Sequence, residues 1–122
     1  MSPPLPRVVL ADSSVWADHF RRGNARLAGL IESGEMMTHE FVVGELVLGF
    51  LTPESPVHAL LEKMPRAATA SHAEVVAMVQ AHSLEGSGIG WVDAHLLASA
   101  AISGAAIWTL DKRATSRLGL LA

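Results

Sequence analysis

Two short strand-like segments, each stopping at an aspartate and the first of them wholly apolar, constrain what this chain can fold into more than any other feature. Val8 to Ala11 runs into Asp12, and Ala106 to Leu110 runs into Asp111. A run with no polar alternation reads as a strand buried on both faces, the habit of parallel strands covered by helices. Parallel strands cannot be joined by tight hairpins, so the intervening chain must supply crossovers.

The sequence between them meets that demand. Ser13 to Phe20 and Asn24 to Ser33 read as helices parted by Gly23. Met36 and Met37 form a brief second strand, and Thr38 is placed to cap a helix from His39 to Phe50. Pro53 and Pro56 punctuate its end, and a short helix follows to Lys63 before Pro65. Ala67 to Ala70 reads as a third strand. Ser71 and Glu74 have the spacing of a capping box, opening a helix that reaches His82. Gly86 to Gly90 reads as a loop, Trp91 to Ser103 as a further helix, and Leu118 to Leu121 as a last edge strand. The expected class is α/β: a three-layer α/β/α sandwich around a central parallel sheet of four to five strands.

At 122 residues the chain is expected to form one domain over 1–122, with 1–6 an irregular, proline-rich tail. Half the residues are hydrophobic and only 17% are charged, which excludes a disordered or tail-like protein. Cysteine is absent, so disulfides and thiolate metal sites are excluded and a reducing compartment suits the chain. The start has no basic cluster and no apolar core of a signal peptide. The longest uncharged stretch, Leu96 to Leu110, is too short to span a bilayer. A cytoplasmic location with no membrane association is the expectation.

In open parallel sheets, ligands gather at the carboxyl ends of the strands, where Asp12 and Asp111 stand. Each reads equally as a helix N-cap or as a reactive acid. Two further acids sharpen the choice. Glu45 sits mid-helix, with Phe41, Val42, Leu48 and Gly49 at helical spacing, on what reads as an apolar stripe. A carboxylate there is costly unless a cation meets it, and no basic residue lies within four positions. A distant arginine or a functional cation is the alternative. Asp93 falls in a first helical turn, where it complements the helix dipole, yet it aligns with Leu96, Leu97 and Ala100 on the sheet-facing side. Four acids at one edge could not all stay ionised without cations. Oxygen-only donors select Mg²⁺ or Mn²⁺, ions that keep waters and bind phosphates, as phosphodiester hydrolysis requires.

The residues around these acids resemble the motifs of PIN-domain nucleases. Val9-Leu10-Ala11-Asp12-Ser13-Ser14-Val15-Trp16 is similar to the first, a strand ending in Asp followed by Ser or Thr. Val43-Gly44-Glu45-Leu46 resembles the second, a helical Glu. The stretch from Gly88 to Ala98, Gly-Ile-Gly-Trp-Val-Asp-Ala-His-Leu-Leu-Ala, resembles the third and is the most specific. Trp108-Thr109-Leu110-Asp111-Lys112-Arg113 resembles the fourth, and the compact size is most similar to VapC-type toxins of bacterial toxin–antitoxin pairs. The resemblance implies a metal-dependent endoribonuclease whose catalytic and metal-holding residues are Asp12, Glu45, Asp93 and Asp111. Ser13, Ser14 and Thr109 support them, and Mg²⁺ or Mn²⁺ is the cofactor. It further implies an RNA substrate, a homodimer, and a cognate antitoxin whose tail blocks the acidic groove.

The formal charge of −3 argues against a strongly basic binder, but six of the nine basic residues form two patches. Arg21, Arg22 and Arg26 make one, and Lys112, Arg113 and Arg117 the other; RNA contacts and solvated helix faces account for them equally. Of the six histidines, no pair has convincing zinc spacing: His39-Glu40 is followed by Val43 where a zincin helix needs its second His. Trp16, Trp91 and Trp108 could stack on bases, but their apolar surroundings favour core or dimer packing. Two rival functions share this layout. A phosphoacceptor signalling domain wants an acidic pair after the first strand, whereas Asp12 is followed by Ser13. A non-catalytic α/β binding module would use its acids as caps, which Glu45 in mid-helix does not fit.

Overall fold

A computed structural model describes residues 8–111. Its framework is a parallel sheet of three strands among these residues, in the order β2-β1-β3, with β1 spanning Val9–Ala11, β2 Met36–Met37 and β3 Ala106–Trp108. Val9 aligns with Met36 on one side and Ala106 on the other, and Ala11 aligns with Trp108. The middle strand is buried at every position, as its unbroken apolar run requires.

Six helices surround the sheet among the described residues: α1 Ser13–Arg22, α2 Ala25–Glu32, α3 Glu40–Gly49, α4 Pro56–Lys63, α5 His72–Ala81 and α6 Trp91–Ser103. α1 packs against β1, α2 and α3, while α6 packs against β3 and α5. The main core joins Leu10, Val15, Trp16, Leu27, Met36, Val42, Leu46, Leu61 and Leu96, all essentially removed from water. Burying an apolar side chain of this size contributes about 1.5–3 kcal/mol, so the core holds α1, α3 and α6 firmly on β1. The capping box at Ser71 and Glu74 forms as its spacing predicts. α1 ends at Gly23, whose φ of 79° is one that side-chain-bearing residues rarely adopt.

The expected third strand over Ala67 to Ala70 does not form. A single parallel bridge joins Thr38 to Arg66, with the Thr38 amide donating to Pro65 O and the Ala67 amide donating to Thr38 O, each at 2.8 Å. Beyond it, side chains take the donors that a ladder would use: Ala68 N donates to Ser103 Oγ at 2.8 Å and Ala70 N to Ser99 Oγ at 3.4 Å. The sheet of four to five strands is therefore corrected to three strands and a bridge among the described residues. The Leu118 to Leu121 strand lies outside them.

Two further boundaries shift. Thr38 is not the cap of α3, because its backbone is engaged in the bridge; His39 takes that place, its Nδ1 accepting from Phe41 N at 3.0 Å. β3 stops at Trp108, whose carbonyl accepts from Asp12 N at 3.0 Å. Leu110 N turns away and donates to Ser14 Oγ at 2.9 Å.

Candidate active site

Asp12 leaves β1 at its carboxyl end and is the N-cap of α1. Its Oδ1 accepts from Ser14 N at 3.0 Å and Val15 N at 3.4 Å, satisfying amides that a helix start leaves without partners. The Ser14 hydroxyl donates to the same oxygen at 2.5 Å. Oδ2 accepts from the Thr109 hydroxyl, which arrives from the end of β3. Thr109 Oγ1 in turn accepts from Asp111 N at 3.0 Å. Asp12 is thus buried at 6% exposure yet richly hydrogen-bonded, as a buried carboxylate must be.

Glu45 departs from its expected setting. The buried face of α3 is Val42, Val43 and Leu46, whereas Leu48 is 90% exposed and Glu45 itself is exposed. Glu45 therefore does not lie on an apolar stripe; it projects from the helix flank toward the other acids. Partial withdrawal from water holds its carboxyl above the ordinary range, the charges of Asp93 and Asp12 push it further, and the Ser13 hydroxyl offsets a little of this.

Asp93 occupies the third position of α6, after Gly90 as N-cap, and is half-buried. Placement in a first turn favours a charged acid. Burial outweighs that and raises its proton affinity, and the charges of Asp12 and Asp111 add to the rise. Asp111 lies just past β3 and is exposed. The four acids thus form one electrostatic neighbourhood: Asp12 and Asp93 act on Glu45, and Asp12 and Asp111 act on Asp93. The ion pairs Asp18–Arg22 and Glu62–Arg66 join residues of other segments.

Among the described residues, no three His, Asp or Glu side chains converge closely enough to hold one ion as they stand. The fit of a hard cation rests on donor chemistry and mutual repulsion. The donors are all carboxylate oxygens, and two of them bind protons more tightly, first through withdrawal from water and then through their neighbours' charges.

The other candidates divide. Arg21 and Arg22 are exposed at the end of α1, with Arg22 Nε donating to Asp18 at 2.6 Å. Arg26 lies over the Trp108 ring, 4.5 Å from its centre. Lys112, Arg113 and Arg117 lie outside the described residues. Trp16 is fully buried, in keeping with core packing, but Trp91 is 45% exposed. No sequence signal marked His39 and Ser99 as a pair; their side chains meet in the core at 3.0 Å, between the N-terminus of α3 and the middle of α6. Among the described residues, no helix is long and apolar enough to cross a membrane.

Comparison with known proteins matches residues 9–119 to the PIN domain. Two curated relatives, each named Ribonuclease VapC32 and drawn from two strains of Mycobacterium tuberculosis, are 40% identical over 107 residues. The alignment covers 87% of this chain and 86% of each relative.

Proposed function

Because the chain belongs to the PIN-domain family, we propose that it is a metal-dependent endoribonuclease, the toxin of a toxin–antitoxin pair, working as one domain through Asp12, Glu45, Asp93 and Asp111. The observation that carries this reading is the raised proton affinity of Glu45 and Asp93, each driven in part by the remaining acids at the carboxyl ends of β1 and β3. Perturbed carboxylates gathered at a sheet edge suit a functional site better than a set of caps.

The four carboxylates would hold Mg²⁺ or Mn²⁺. When bound, such an ion offsets the negative charge of the scissile phosphate and makes its attacking water more acidic. The chain's own groups do the rest. Asp12 is locked by Ser14, Thr109 and two amides, so it presents a fixed carboxylate. Glu45, exposed and proton-avid, accepts a proton from the attacking water. The water oxygen bonds to phosphorus, the bond from phosphorus to the 3′-oxygen breaks, and that oxygen takes a proton from solvent. The products are a 5′-phosphate and a 3′-hydroxyl. Ser13 tempers Glu45, while Ser14 and Thr109 tie the ends of β1 and β3 together. Arg21, Arg22 and Arg26, with Lys112, Arg113 and Arg117, supply phosphate contacts that position the strand without reading its sequence.

The same reading takes the chain as a cytoplasmic homodimer, silenced by an antitoxin whose basic side chain enters the acidic groove. Purified protein is expected to cleave RNA with Mn²⁺, stop with EDTA, and leave 5′-phosphate ends. Asp93→Asn should abolish that activity. Cleavage that persists in EDTA and leaves cyclic phosphates would overturn the assignment.

A further inference from the structure

We infer that Arg26, seated over the Trp108 ring, is a fixed anchor for one backbone phosphate of the RNA strand. The inference rests on the nuclease reading above and singles out, among its basic residues, the one that sets the strand's path.

The chain holds this arginine in place from both ends. Arg26 is the second residue of α2, whose start is capped by Asn24 Oδ1 accepting from Leu27 N at 3.0 Å. Leu27 is fully buried and seats that turn on the core. At the other end, the guanidinium carbon lies 4.5 Å from the centre of the Trp108 ring, which is half-buried and packed against the core. A cation over a ring engages through its charge and uses none of the five N–H donors of a guanidinium. Arg22 and Arg66 direct theirs to Asp18 and Glu62. Among the described residues, Arg26 has no carboxylate partner, and it is exposed.

Two features of α2 do not serve the helix itself. A cation in the first turn opposes the helix dipole, which favours an anion there. Gly29 lies three residues on, along the same flank, where glycine weakens an exposed helix. A Cβ at Gly29 would meet nothing within 4 Å, so no packing inside the chain calls for its absence. Dipole, guanidinium and bare flank together favour an anionic chain that comes close.

Place decides which anion. Trp108 ends β3, and its carbonyl accepts from Asp12 N at 3.0 Å. Paired strands lie about 4.8 Å apart, so the ring under Arg26 is rooted one strand spacing from the Asp12 backbone. Every nucleotide carries a phosphate, so a strand held at the acids has one to offer this guanidinium without needing a particular base.

The test titrates single-stranded RNA into Glu45→Gln protein with Mg²⁺ over a series of salt concentrations. Added to that background, Arg26→Ala should weaken binding about tenfold. It should also flatten the slope of log affinity against log salt by about 0.7. Arg26→Lys should keep the slope and lose part of the affinity, because an ammonium is a point charge without the planar fork. Trp108→Leu should also lose affinity, and combining it with Arg26→Ala should weaken binding no further than Arg26→Ala alone. Gly29→Leu should melt higher yet bind RNA more weakly, which separates contact from folding. Wild-type affinity and slope in Arg26→Ala would overturn the anchor, even in a chain that cuts RNA. So would equal losses in Arg26→Ala and Arg22→Ala, the mark of diffuse charge. RNA bound through Arg26 but left uncut by the wild-type chain with Mn²⁺ would count against the nuclease reading alone.

Discussion

Thr109 and Asp12 stand 97 residues apart in sequence, yet the Thr109 hydroxyl donates to Asp12 Oδ2 and so joins the ends of β3 and β1. The same hydroxyl accepts from Asp111 N. One side chain therefore sets the relation between two of the four acids. Thr109→Val keeps the shape and removes both bonds. It is expected to cost about 1–3 kcal/mol in urea unfolding and to lower cleavage at least tenfold, while Thr109→Ser restores most of both.

Glu45 and Asp93 both bind protons more tightly in the folded chain than their ordinary values of 4.5 and 3.8 allow. Between those values and the raised folded ones, the native state holds more protons than the unfolded state, so stability falls as pH rises. The destabilisation is complete above the folded values and absent below the ordinary ones. Glu45→Gln with Asp93→Asn should therefore melt higher than wild type at neutral pH without metal, and the gap should close as pH drops toward 4. Both groups are partly in water, so the gain is about 1 kcal/mol or less. A lower melting temperature in the double variant would show that the acids are structural partners.

Added Mn²⁺ should remove that repulsion. At one hundred times its dissociation constant, an ion that binds only the folded site stabilises by about 2.7 kcal/mol. Thermal melting should show this rise in wild type, little of it in Asp93→Asn, and its reversal by EDTA. A protein whose melting ignores Mn²⁺ would have no cation site at these acids.

His39 is fully buried, accepts from Phe41 N through Nδ1, and meets Ser99 Oγ through Nε2. Only a neutral ring can do both, with the Nε2 proton donated to Ser99. Burial lowers its proton affinity first, nearby His95 lowers it further, and Glu40 opposes. Below the ordinary value of 6.5 the unfolded chain takes up a proton that the native chain refuses. Stability should thus fall as pH drops from 6.5 toward the folded value. His39→Asn keeps a capping oxygen and should flatten that slope. His39→Ala should cost about 2 kcal/mol or more, through the lost cap and the cavity. A wild-type slope retained in His39→Asn would assign it to another group.

Much of this was legible because it depends on local chemistry. The unbroken apolar run before Asp12 specified a buried central strand, and Ser71 with Glu74 specified a helix start; both are written within four residues. Ala67 to Ala70 misled because its amides bond to Ser99 and Ser103, partners about thirty residues on that no local pattern reveals. Thr38 looked like a cap until the Arg66 bridge engaged its backbone. Glu45 was singled out for the wrong reason. Spacing with Phe41 and Leu48 suggested a buried stripe, but the helix turns Val43 and Leu46 inward and leaves Leu48 to water. Trp91 read as core or dimer packing because its neighbours in sequence are apolar, and within the single chain its ring is 45% exposed.

The bonds that Asp12 makes bear on how such a chain is silenced. Replacing Asp12 strips α1 of its cap and the Thr109 hydroxyl of its acceptor in the same stroke, so an inactive phenotype there mixes lost reactivity with lost folding. Glu45 holds no helix end and sits on an exposed helix flank. On the proposed reading, a variant altered at Glu45 loses reactivity and keeps the fold, whereas one altered at Asp12 also loses the bonds that seat α1. Inert but folded descendants should accordingly carry their lesion on α3.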